Sequence, residues 1–246
     1  MAADIPTIPK PVPVLLSLLA GYVDSCTFLA LFGLFVAQVT GSFVLAGTQL
    51  VEHENGGLVK LTAIPAFFLA CVVVTVMAGP AARRARAALA GALALETVLL
   101  AGLFIALRLG APIASPNDAA AVCASLCGLA AMGVQSGLVR LLIRGAPSTN
   151  VMTTNTSQLA VDATELFLMM RARRRAPDDA ALAAEHAQVR ERLERLWPVV
   201  LGFLAGTIVG ALAFAQLSVW SVLAPIALAA ALAVWALRRV FARSSA

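Results

Sequence analysis

From Val12 onward the chain is a succession of long apolar runs, at 13–37, 61–79, 87–107, 120–143, 198–217 and 219–237, separated by breaks such as Glu52-His53-Glu54-Asn55-Gly56-Gly57 and Gly79-Pro80. Each run approaches the roughly 20 apolar residues that carry a helix across a bilayer core. The pattern predicts an all-α, polytopic membrane protein with six transmembrane helices. Two further stretches, 38–51 and 148–170, are apolar enough to enter a bilayer but are dotted with Thr, Ser, Asn and Gln. They read as re-entrant or broken-helix segments, because short polar side chains can satisfy backbone groups where a helix is interrupted. Residues 1–12, with prolines at 6, 9 and 11, read as a disordered tail.

An internal duplication appears when the breaks are aligned. Ala20-Gly21-Tyr22-Val23-Asp24-Ser25 stands against Ala131-Met132-Gly133-Val134-Gln135-Ser136, Thr40-Gly41-Ser42 against Thr153-Thr154-Asn155, and Pro65 against Pro198. The additional 20 or so residues of the second half fall in the charged stretch 171–197. Two halves follow, 13–110 and 111–246, each with three spans. Because three is odd, the second half enters the membrane from the opposite face, giving the 3+3 inverted repeat common among secondary transporters.

Composition fixes the class. Of 246 residues, 61% are hydrophobic and 13% charged, against about 45–50% and about 25% in soluble domains. The net charge of +5 does not point to nucleic acid, since the arginines cluster just outside apolar runs, as in cytoplasmic loops. With both termini cytoplasmic, the basic residues lie on one side except Lys60 and Arg108. Arg144 and Arg171 then share a side, and the residues between them are too few for two crossings, which need about 40. Segment 148–170 is therefore expected to be re-entrant or interfacial. Trp197, Trp220 and Trp235 fall at expected span ends, where amphipathic rings prefer the headgroup level. The first apolar run is expected to stay in the mature protein, because it continues far beyond the length of a leader's apolar region.

Stretch 171–197 predicts a cytoplasmic helix of its own: Pro177-Asp178-Asp179 makes a good helix start, and Leu182, His186, Val189, Leu193 and Leu196 recur at helical spacing. It either lies on the inner leaflet or bundle, or docks a partner.

Candidate chemistry is confined to polar groups at membrane depth, each costly and each a functional candidate. Asp24 is a candidate for substrate or proton binding, or for a structural hydrogen bond to another helix or to the Thr-rich segment; its counterpart is Gln135. Glu96, the other acid within an expected span, is a functional candidate as well, with a structural bridge or partial snorkelling as the alternative. Thr40, Ser42, Gln135, Ser136, Thr153, Thr154 and Asn155 complete a candidate substrate site, on the expectation that paired half-helix N-termini present free N–H groups to an anionic or carboxylate-bearing solute. Capping of the same segments is the competing expectation. Asp162 and Glu165 are expected at the cytoplasmic interface near Arg171–Arg175. Gly202, Gly206 and Gly210 form a small-residue ridge for close helix packing. Cys26, Cys71, Cys123 and Cys127 lie in apolar runs without metal-ligand or disulfide spacing. No metal and no cofactor are expected.

In these residues the chain resembles the YoaK family of bacterial inner-membrane proteins. The likeness rests on Gly21-Tyr22-Val23-Asp24, Phe28-Leu29-Ala30-Leu31-Phe32-Gly33 and Thr40-Gly41-Ser42, then on Met132-Gly133-Val134-Gln135-Ser136, Arg140 and Thr149-Asn150-Val151-Met152-Thr153-Thr154-Asn155. The family pattern has Asn where Ser42 stands. The resemblance implies six spans and a bacterial inner membrane, and implies no substrate.

The function expected first is transport of a small solute, with the bilayer and that solute as partners and self-association left open. The alternative is an accessory or scaffolding membrane protein. An enzyme is not expected: His53 and His186 lie in loops, and no membrane-depth Ser–His pair or metal-binding motif is present.

Overall fold

The computed structural model describes residues 8–52, 57–79, 85–143, 145–175 and 179–241. His53, Arg83, Arg84, Arg144, Pro177 and Asp178 lie outside them. The described chain is helical: α1 (Pro11–Ala30), α2 (Val39–Glu52), α3 (Gly57–Ala78), α4 (Ala85–Leu109), α5 (Ala119–Leu142), α6 (Met152–Arg173), α7 (Ala180–Leu217), a 3-10 turn (Ser218–Val222) and α8 (Leu223–Phe241). Among the described residues five runs are long and apolar enough to cross a membrane: Pro11–Ala30, Leu61–Ala78, Ala85–Leu109, Ala119–Leu142 and Ala180–Val240, the last containing both α7 and α8.

Several boundaries differ from the expected ones. Pro11 opens α1 instead of belonging to the tail, since a first-turn proline gives up no intrahelical bond. The first helix ends at Ala30, not near 37. Phe32 and Gly33, at φ 55° and 82°, turn the chain there, and the glycine takes that conformation without steric cost. Segment 148–170 is no broken helix. The chain is irregular only up to Val151, and α6 then runs unbroken to Arg173.

The helix expected within 171–197 is the first half of α7, whose 38 residues make it about 57 Å long. Asp179 caps it, its carboxylate accepting from the amides of Ala181 at 3.0 Å and Leu182 at 3.1 Å. Pro198 lies inside and does not end it. Asp162 and Glu165 both meet Arg192 of α7 instead of the 171–175 arginines. Asp162 lies eleven residues before the end of α6 and Arg192 twelve after the start of α7, so the two helices run antiparallel as a hairpin.

Packing positions the interior. α1 lies along α7, α3 along α5, and α4 against both α5 and α8. The glycine ridge of α7 faces the α1 backbone: a Cβ on Gly202 would lie 2.9 Å from the Val14 carbonyl, one on Gly210 2.7 Å from that of Tyr22, and one on Gly206 would collide with that of Leu18. Gly21 of α1 answers against Phe203. Bare backbones in contact are the usual basis of small-residue helix packing in lipid.

The buried apolar side chains form two clusters, one around Leu19, Val23, Leu100, Leu103, Leu129 and Met132, the other around Leu16, Leu89, Leu93, Val134, Leu138 and Leu232. Between them lies a level that crosses α4 between Leu93 and Leu100 and α5 between Met132 and Val134.

Candidate functional site

Two buried polar residues, one in each half, hold the chain that leads into the next helix. Past the turn at Phe32 and Gly33 the backbone folds back along α1, and the amides of Val36 and Ala37 both donate to Asp24 Oδ1 at 2.8 Å. Gln38 donates its side-chain amide to Oδ2 at 3.2 Å. Asp24 is 2% exposed, and α2 begins at the residue after Gln38. A carboxylate suits this position because its oxygens only accept, and the link offers only donors.

In the second half the demand is reversed. Gln135 on α5 donates from Nε2 to the Leu16 carbonyl of α1 at 2.9 Å and to Thr149 Oγ1 at 2.8 Å, with Asn150 Oδ1 at 3.5 Å. Thr149 donates to Asn150 Oδ1 at 2.7 Å, and Asn150 returns a bond to the Met132 carbonyl at 3.3 Å. These groups need a donor, which an amide supplies and a carboxylate lacks. The carboxylate of Asp24 and the amide of Gln135 thus each match the chemistry of what they hold. Asn155, buried in the first turn of α6, donates to the Ser148 carbonyl at 2.6 Å.

The Thr-bearing segments are therefore helix starts and not interruptions. Thr40 is the second residue of α2 and Thr153 the second of α6. Thr40, Thr153 and Thr154 are exposed, Ser136 is half-buried, and Ser42 is buried with its Oγ unpartnered. Asp24 is joined to 36–38 and Gln135 to 149–150. Gln135 reaches α1 at Leu16, eight residues before Asp24, about 12 Å along the helix. The two clamps stand at different depths.

Glu96 neither bridges helices nor snorkels. It is fully buried, and neither carboxyl oxygen has a hydrogen-bond partner. Sequence reasoning overlooked its setting, although Leu89, Leu93, Glu96, Leu100, Leu103 and Leu107 recur at alternating spacings of four and three, the signature of one buried helix face. It overlooked Thr149 and Asn150 as clamp partners as well. The signal was a polar pair standing just before a helix start. The four cysteines are free thiols, and among the described residues no three His, Cys, Asp or Glu side chains gather to hold a metal ion.

All-helical architecture, several membrane-length apolar helices and polar groups buried at depth define an integral, polytopic membrane protein. The chain belongs to DUF1275, described as a protein of unknown function, whose family model matches residues 12–235. No curated protein and no solved structure matches it.

Proposed function

We propose that the protein is a small-solute permease of the bacterial inner membrane, built from two inverted halves of three spans each with both termini cytoplasmic, and not an enzyme. The observation that carries this reading is the equivalence of the two clamps: Asp24 holds 36–38 in front of α2, and Gln135 holds 149–150 in front of α6. The packing of α1 on α7 and of α5 on α3 has the exchange expected if α1 corresponds to α5 and α3 to the apolar part of α7. Dividing Ala180–Val240 at the 3-10 turn brings the membrane-length runs to six. The narrower likeness to the YoaK family rests on the motifs around Asp24 and Gln135.

Threonines in the first turns of α2 and α6, with the buried unpartnered Ser42 hydroxyl beside Thr40, suit a small solute bearing a carboxylate or other anionic group. The test is thermal unfolding of the purified protein against a panel of small carboxylates. A binding solute raises Tm, and Thr40→Val and Thr153→Val lose that rise while keeping the ligand-free Tm.

One observation favours an accessory role instead. The α6–α7 hairpin carries exposed Val161, Phe167, Leu168 and Met170, apolar groups suited to a partner protein. No Tm shift across the panel, together with a protein that co-purifies and is lost on Phe167→Asp, would replace the permease reading.

A further inference from the structure

Glu96 lies near the middle of α4, on its most buried face, with Leu93 and Leu100 on either side fully buried. Its level follows from the antiparallel register of α4 and α5. A Cβ on Gly102 would lie 3.1 Å from Cys127 Sγ, and one on Gly110 would meet Ala120, which sets Glu96 opposite residues 133–134. That is the polar level between the two apolar clusters. Gln135, one residue further along α5, is also fully buried, and its Oε1 has no partner although its Nε2 is committed.

Three buried oxygens at one level thus lack a donor. Acceptors alone call for a positive charge, since an unpartnered carboxylate at membrane depth is costly. A hard metal cation takes six or more oxygens, and no metal-binding group is present among the described residues. The positive charge that fits one carboxyl in a closed apolar seam is a proton.

We propose that Glu96 is an intramembrane proton-binding site. The carboxylate takes a proton from a hydronium ion, forming one O–H bond and releasing water. The resulting O–H is a donor, for which Gln135 Oε1 is an acceptor left open at the same level. The elements against α4 bring few titratable groups. Cys127 lies opposite Gly102, Cys123 is exposed, and Cys71 of α3 donates to the Gly133 carbonyl. Arg140 on α5 and Arg238 and Arg239 on α8 lie in the last turns of their helices. Arg86 and Arg108 of α4 itself are ten and twelve residues away, about 15 and 18 Å along the helix. Among the described residues no charged side chain is shown at the level of Glu96 to compete for the proton or to replace it. The assignment does not rest on the solute reading, and its test uses no solute.

The test is infrared difference spectroscopy of the full chain reconstituted in lipid, taken as a function of pH. The expected result is a protonated-carboxyl stretch of one group per chain that titrates with pH and is absent from Glu96→Gln. Glu96→Asp keeps a carboxyl and displaces the band, which covers the case in which the Gln variant does not fold. Spectra of wild type and Glu96→Gln that match at every pH would overturn the proposal. So would a Glu96 band that persists at all pH values, which makes the group a permanent structural acid. A band lost on replacing choline by sodium at fixed pH would give the site to a metal cation instead.

Discussion

Arg192 closes on Asp162 through two nitrogens: Nε donates to both carboxylate oxygens, at 2.8 and 2.9 Å, and Nη2 to Oδ1 at 2.5 Å. Nη2 also reaches Glu165 at 3.2 Å. The Asp162 side chain is wholly buried while that of Arg192 is about half exposed, so the pair ties the polar half of α7 to α6 from its solvent side. Planar guanidinium geometry makes this a job that lysine performs poorly.

Asp162→Asn should loosen the hairpin by about 1.5–3 kcal/mol, the usual worth of hydrogen bonds to a charged partner, and Arg192→Lys should retain only part of the contribution. Salt weakens the effect because Arg192 is partly in water. The bonds from Arg192, and with them the Gln158 amide, hold the Asp162 carboxyl below its ordinary value. A lowered folded-state value means that the contribution is complete above the unfolded value, about 3.9, and disappears as pH falls through the folded one. Protease sensitivity of the α6–α7 connection should therefore stay flat from neutral pH down to about 5 and rise only in stronger acid. In Asp162→Asn it should be high throughout.

Gly206→Ala tests the closest helix contact. The added Cβ collides with the Leu18 carbonyl, part of the α1 backbone and unable to rotate away. The helices must separate, at about 1–3 kcal/mol or more, and the yield of folded protein should fall sharply. Gly47→Ala is the control. Its Cβ meets nothing within 4 Å, and the change should be neutral or stabilising by up to about 1 kcal/mol. Equal yields of the two variants would show that α1 and α7 do not touch at Gly206.

Asp24→Ala removes the acceptor for two buried amides, Val36 and Ala37. Each orphaned donor costs about 1–3 kcal/mol, so the loss should be roughly 2–6 kcal/mol, with hydrogen exchange accelerated at residues 36 and 37 in particular. Asp24→Asn keeps one oxygen acceptor at the same place and should cost less. Unchanged exchange at these amides in Asp24→Ala would show that the link is held by packing alone.

These residues also show what the sequence makes legible. Asp24, Gln135 and the Thr pairs stood out because polar groups within apolar runs are conspicuous, and the glycine ridge because its spacing matches the helical repeat. What Asp24 bonds was legible only in part: a bond to the Thr-rich segment was among its expectations and Gln38 makes one, but Val36 and Ala37 contribute backbone amides that any residue would supply. The α7 helix was hidden for another reason. A change from charged to apolar composition at Trp197-Pro198 looks like an element boundary, yet the helix continues across it, with the Ser17 hydroxyl donating to the Val199 carbonyl just beyond the proline at 2.7 Å. Ion pairing was misassigned because spacing along one helix cannot show that Arg192 comes from another.

The proposed topology makes the last prediction. Arg108 lies over the Trp220 ring at 5.4 Å, and Phe104 packs on the same ring with centroids 5.6 Å apart, so the end of α4 and the α7–α8 turn share one end of the bundle. At the other end a Cβ on Gly145 would lie 3.6 Å from Arg195, and Arg239 covers Trp235 at 4.7 Å. Most of the arginines belong to this second end, which the positive-inside rule makes cytoplasmic. In a background with the four native cysteines replaced, Asn117→Cys should react with a membrane-impermeant maleimide added to intact cells, because residue 117 is exposed in the connection that follows Arg108. Arg174→Cys, beside the end of α6, should react only after the membrane is opened. Labelling of both from outside would mean that α5 does not cross, and reaction in the reverse order would turn the protein over.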